Sequence, residues 1–198
     1  MPIPVPYLKI YVIGDQRLRS RFFEALNMGN RDFNSLEMQV KIGDKEEEIN
    51  LVILNPNFDA EKKILFDLYC GDADILIICL TRGWLSAFEE DYLPVLKKYT
   101  NKPLIILTED SEIDSVELFD KLVKLGFDHV LIKEFNFMRS PKDLAEAISM
   151  LLKRDSIDKL ARRKRRLLAK TVKDLDNDVL FDSVEERSEI GREIEDLL

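Results

Sequence analysis

Histidine occurs once, tryptophan once and cysteine twice in this 198-residue chain, and each scarcity removes a kind of chemistry. A Ser/His/Asp or Cys/His triad would have to use His129, which stands beside Asp128 at the start of an apolar run, where a surface or edge histidine is the simplest reading. Cys70 and Cys79 lie in apolar surroundings with neither a CxxC nor a Cys/His ligand spacing, which argues against zinc and against a disulfide framework and favours a reducing compartment. Long hydrophobic runs are missing too: the longest, Ile75–Leu80, is far too short to span a bilayer. The start, Met1-Pro2-Ile3-Pro4-Val5-Pro6, lacks a positive charge before an apolar core, and its alternating prolines favour extended backbone over a signal peptide. The cytoplasm is the expected location. No catalytic, metal or cofactor residue is assigned.

What is present describes one sizeable globular domain with an appendage. Apolar residues make up 45% and charged residues 34%, and a chain of this length buries roughly 70% of its unfolded surface. Lys and Glu are abundant and Gln is rare, as in thermophile proteins. The net charge of −8 is unevenly spread. Lys153, Arg154, Lys159, Arg162, Arg163, Lys164, Arg165, Arg166 and Lys170 form a basic block, and from Asp174 to Asp196 acids far outnumber bases.

Six strand-like runs precede that block: Leu8–Ile13, Met38–Ile42, Ile49–Leu54, Asp74–Leu80, Leu104–Leu107 and His129–Ile132. The first and the last three are nearly continuous in apolar residues, the pattern of strands covered on both faces. Helices are expected over Arg19–Leu26, Ala60–Tyr69, Ala87–Tyr99, Ser115–Leu125 and Pro141–Leu152, with Ser140 capping the last and Gly126 stopping the fourth. Only Gly43-Asp44-Lys45-Glu46-Glu47-Glu48 separates the second and third strands, too few residues for a crossover helix, so these two form an antiparallel hairpin that makes Val40 and Leu51 neighbours. The other strands are parallel. The fold class is therefore α/β, a six-stranded mixed sheet in residues 1–153, followed by a charged amphipathic helical extension in 154–198 where Ile157, Leu160, Ala161, Leu167, Leu168, Val172 and Leu175 recur at helical spacing.

Gly14 ends the first strand, and Asp15-Gln16-Arg17-Leu18-Arg19-Ser20-Arg21 follows where a phosphate-binding loop would lie. In GxxxxGK[ST] the second glycine lets backbone N–H groups close on the phosphates, the lysine reaches the β and γ oxygens, and the hydroxyl binds Mg²⁺. Here those places hold Arg19, Ser20 and Arg21.

This order of elements resembles the Ras-like small GTPase family over about the first 153 residues. Gly71-Asp72-Ala73-Asp74-Ile75-Leu76-Ile77-Ile78-Cys79-Leu80-Thr81 with Ser86-Ala87-Phe88 is similar to the family's fourth strand and following helix start, and Lys102-Pro103-Leu104-Ile105-Ile106-Leu107 to the strand before guanine recognition. The resemblance implies a Ras-like P-loop three-layer sandwich. Every chemical motif departs from it. DxxG falls on Asn55-Pro56-Asn57-Phe58 and NKxD on Glu109-Asp110-Ser111-Glu112. Asn27–Leu36 has no threonine for switch-type Mg²⁺ binding, Asn55–Asp59 has no glutamine to orient a water, and the final residues carry no cysteine for prenylation. The resemblance thus implies a degenerate, pseudo-GTPase member: a non-enzymatic protein–protein interaction or assembly subunit. One alternative is a divergent GTP-binding protein using Arg19 or Arg21 in place of the lysine. Another is a degenerate receiver-like signalling domain, because Thr108 and Gly126-Phe127-Asp128-His129-Val130-Leu131-Ile132-Lys133 are similar to receiver motifs, although the phospho-acceptor position would hold Cys79.

The partner-binding candidates are Leu160, Arg163, Arg166 and Leu167 in the extension, together with Trp84, which either caps the core or anchors an interface. Arg162–Arg166 is also a candidate phosphate-neutralising surface for nucleic acid or acidic lipid, with no interleaved aromatics to stack on bases. Self-association is a further partner class.

Overall fold

The continuously apolar runs form the centre of a six-stranded sheet. A computed structural model describes residues 7–29, 32–42, 45–56, 63–109 and 113–152. These belong to one compact unit, Met1–Ser156; a second unit, Ile157–Leu198, lies outside the described residues, as do Leu160, Arg163, Arg166, Leu167 and the basic block.

The strands are β1 (Tyr7–Gly14), β2 (Phe33–Ile42), β3 (Lys45–Leu54), β4 (Ile75–Leu80), β5 (Leu104–Thr108) and β6 (Val130–Glu134). They lie in the order β2-β3-β1-β4-β5-β6. Only β2 runs antiparallel, against β3; all other neighbours are parallel. The helices are α1 (Gln16–Ala25), α2 (Lys63–Asp72), α3 (Arg82–Ala87), α4 (Leu93–Leu96), α5 (Ser115–Lys124) and α6 (Pro141–Leu151).

Period-two alternation divides the core between the two faces of the sheet. Tyr11, Ile13, Leu76, Ile78, Leu80, Leu104 and Ile106 pack with Phe66 and Cys70 of α2, Phe88, Leu93 and Leu96 around α4, and Leu118 and Leu122 of α5. Their alternates, among them Ile10, Val12, Ile75, Ile77 and Ile105, are equally buried. Helices α1 and α6 cover that second face with Leu18, Phe22, Phe23, Leu144 and Ile148. Each such side chain contributes about 1.5–3 kcal/mol by leaving water, and β4 is buried along its whole length because helices flank it above and below.

Four expectations need correction. Helix α1 begins at Gln16, not Arg19, because the Asp15 carboxylate accepts from the Leu18 N–H at 3.0 Å and caps it. The segment taken for a loop is helix. The hairpin strands are longer than expected, β2 starting at Phe33 and β3 at Lys45, since Glu37, Gln39, Lys41, Glu46 and Glu48 occupy solvent-facing positions that obscure the strand signal. The hairpin register also differs: Val40 pairs with Glu47, and Leu51 with Leu36. Finally, the helix expected over Ala87–Tyr99 starts at Arg82 and changes pitch, with a π turn at Phe88–Tyr92 just before Pro94, whose nitrogen has no hydrogen to donate to the preceding turn.

Candidate functional site

Because β3, β1, β4, β5 and β6 run parallel, their carboxyl ends share one edge of the sheet. The central crevice of that edge, where β1 meets β3 on one side and β4 on the other, is the usual ligand position in open α/β sheets. At its floor Gly14 has φ +108°, and a Cβ there would stand 2.1 Å from the Cys79 carbonyl oxygen. Only glycine fits. The close approach lets the Asp15 N–H donate to that same carbonyl at 2.9 Å, and Thr81 Oγ1 donates to Asp15 Oδ2 at 3.3 Å.

Arg19 fills the crevice. One turn into α1, its side chain turns back over the strand ends and is only 6% exposed. Its Nε donates to the Gly14 carbonyl at 3.0 Å, and one terminal nitrogen donates to Asn55 Oδ1 at 2.5 Å and to the Pro56 carbonyl at 3.1 Å. All three acceptors are neutral. Burial lowers the Arg19 pKa, with Cys79 and then Asp15 opposing the shift, yet a guanidinium starts so high that it remains charged. The chain thus places its own cation where Gly14 and the Asn55-Pro56 segment converge.

The two neighbouring arginines behave differently. Arg17 and Arg21 both pair with Glu109 at the end of β5, Arg21 at 2.9 Å, and the Arg21 guanidinium lies 4.5 Å from the centre of the Phe135 ring. Glu109 occupies the first position expected of the NKxD element, and its carboxylate is engaged by α1; positions 110–112 lie outside the described residues.

Cys79 is fully buried in β4, and burial pushes its thiol pKa up. Thr108 is also fully buried, and its hydroxyl has no hydrogen-bond partner among the described residues. On the α2 side of the sheet, a pocket of about 290 Å³ is lined by Tyr11, Asp32, Leu54, Pro56 and Tyr69. Below it the Tyr11 hydroxyl donates to Asp72 at 2.8 Å, and Lys9 pairs with the same carboxylate at 2.8 Å. These donors lower the Asp72 pKa against the opposing effect of desolvation.

Trp84 is half-buried, stacks on Tyr92 at 4.6 Å between centroids, and packs against the core. His129 is half-buried at the start of β6. Among the described residues no group of three His, Cys, Asp or Glu is arranged to hold a metal ion, and no helix is long and apolar enough to cross a membrane. Asn55 stands at the first position of the segment aligned with DxxG, but its bond to Arg19, 36 residues away, has no sequence signal. No protein-family model matches the chain, and the search of curated proteins finds no match.

Proposed function

We propose that the chain is a Ras-like domain of the pseudo-GTPase type, acting as a non-enzymatic interaction or assembly subunit. The observation that carries this reading is Arg19. Its buried guanidinium occupies the crevice between the ends of β1 and β3 and bonds Gly14, Asn55 and Pro56. A nucleotide phosphate in the same place would have to displace three hydrogen bonds, and α1 starts two residues after Gly14, leaving no glycine-rich loop to wrap it. The strand order, with β2 alone antiparallel, resembles that of Ras-like domains and supports the fold part of the reading. The same antiparallel β2 and the full burial of Cys79 weigh against a receiver-like domain. The reading leaves the extension, with Leu160, Arg163, Arg166 and Leu167, as the proposed protein-binding segment.

The test is thermal unfolding of the full chain with GTP, GDP or ATP and Mg²⁺, alongside a phosphate-release assay. A ligand at a hundred times its Kd adds about 2.7 kcal/mol of stability. The expected result is no rise in Tm and no hydrolysis. A Tm rise with micromolar GTP overturns the reading.

A further inference from the structure

The pocket on the α2 side of the sheet combines an apolar and aromatic wall with a single charge. Tyr11 and Leu54, paired across β1 and β3, line it together with Pro56 after β3 and Tyr69 of α2, and Asp32, exposed just before β2, completes the lining. The Asp32 main chain is fixed there, because its carbonyl accepts from the Asn55 N–H at 3.0 Å. Its carboxylate is open: among the described residues no hydrogen bond or ion pair engages it. The rings are held in place. The Tyr11 hydroxyl donates to Asp72 at 2.8 Å, and its ring centre lies 4.9 Å from that of Tyr69. With that hydroxyl already engaged, what Tyr11 offers the pocket is its ring.

An aliphatic chain suits Leu54, Pro56 and the two phenol rings, a positive end suits Asp32, and aromatic rings add their own attraction for a cation. An anion would meet the Asp32 charge, and a wholly apolar molecule would cover that carboxylate without pairing it. Among the described residues no cation of the protein lines the pocket: Lys9 pairs with Asp72, and Arg19 is bonded to Gly14, Asn55 and the Pro56 carbonyl. A volume of about 290 Å³ lies at the low end for ligand pockets, room for a molecule of amino-acid size.

We propose that this pocket binds an alkylammonium group, its positive end paired with Asp32 and its aliphatic arm against Leu54, Pro56, Tyr11 and Tyr69. A free aliphatic amine and the lysine side chain of a peptide both carry that chemistry. A minimal amine has few atoms with which to bind, so its Kd is expected at about 1–10 mM. The inference does not rest on the pseudo-GTPase reading, since no nucleotide takes part in it, and either can fail while the other stands.

Amide NMR of the full chain, titrated with n-butylammonium at constant ionic strength, reads the site directly. The expected result is saturable shifts at Asp32, Leu54 and Tyr69, with n-butanol and butyrate at least about tenfold weaker. Asp32→Asn, at an exposed position, leaves Tm unchanged and removes the preference for the amine over the alcohol. A Gly-Lys-Gly peptide with blocked ends separates the two sources: shifts at the same residues support a lysine side chain, and their absence beside binding of n-butylammonium supports a free amine. Shifts that do not saturate, or that fall elsewhere, overturn the proposal. So does n-butanol binding as tightly as the amine, and so does an Asp32→Asn variant that keeps the preference.

Discussion

Arg19 donates to the Asn55 side-chain oxygen at 2.5 Å, joining α1 to the end of β3 across the end of β1. With its bonds to the Gly14 and Pro56 carbonyls, one guanidinium ties the turn after β1 to the segment after β3.

Arg19→Ala is expected to destabilise the fold by about 3 kcal/mol, since it removes three hydrogen bonds from a buried guanidinium, to the Gly14 and Pro56 carbonyls and the Asn55 amide oxygen. Arg19→Lys recovers only part of that, because an ammonium offers a point charge and not a planar fork. Arg17→Ala and Arg21→Ala, each two residues from Arg19 and in contact with solvent and Glu109, cost about 1 kcal/mol or less. Urea denaturation of the three alanine variants checks the order. If Arg19→Ala proves no costlier than Arg21→Ala, the bridge is not structural.

Gly14→Ala combines a left-handed backbone with a Cβ 2.1 Å from a main-chain oxygen that cannot move without breaking the β1–β4 ladder. A loss of about 3 kcal/mol or more is expected, which for a domain of this size lowers Tm by about 10 °C. Gly83→Ala is the control, because a Cβ there meets nothing within 4 Å. It sits inside α3, where exchanging glycine for alanine is neutral or stabilising by up to about 1 kcal/mol.

Much of this fold was legible because its strands are buried on both faces. Ile75–Leu80 and Leu104–Leu107 carry no polar residue, and a strand so placed needs none. The hairpin was legible from the short connection alone, but its register was not: Glu46, Glu47 and Glu48 read as a turn, and they are strand because one side of β3 meets solvent there. At the crevice, Gly14 was legible and the start of α1 was not. Asp15 three residues before Leu18 is an N-cap pattern, yet the same stretch matches the spacing of a phosphate loop, and only the cap hydrogen bond separates the two. The burial of Arg19 could not be read at all, since arginine is among the residues least often buried and its acceptors come from positions 5 and 36 or 37 residues distant.

Beyond the carboxyl end of β5, the Asp114 carboxylate accepts from the Val116 and Glu117 N–H groups, both at 3.0 Å, and so satisfies two of the donors left open at the start of α5. Asp114→Ala is expected to cost about 1 kcal/mol and Asp114→Asn much less, because both Asp and Asn present a cap oxygen. Amide hydrogen exchange in the first turn of α5 should rise in the alanine variant only. Equal protection in wild type and Asp114→Ala would show that the cap contributes nothing.

The two cysteines give the fold a dependence on alkaline pH whose sign is fixed by burial. Both side chains are fully buried; burial pushes the Cys70 thiol up to about 12 and raises that of Cys79 as well. In the unfolded chain each titrates near its ordinary value of about 8.5. Below that pH both states keep their protons and stability is fully present. Above it the unfolded chain releases protons that the native chain retains, so the free energy of unfolding falls by about 1.4 kcal/mol per pH unit for each thiol, continuing for Cys70 until the native thiol itself ionises near 12. Tyr11, whose hydroxyl is held protonated first by burial and then by its bond to Asp72, adds a further loss above about pH 10. Urea midpoints measured in reductant between pH 8 and 10 should therefore decline steeply. Cys70→Ala should flatten the decline by one thiol's share, whatever it does to the stability at pH 7, because the slope counts protons and not contacts. Identical slopes in wild type and variant would mean that Cys70 ionises in the native fold as readily as in the unfolded chain, and the α2 face of the core would not be closed as described.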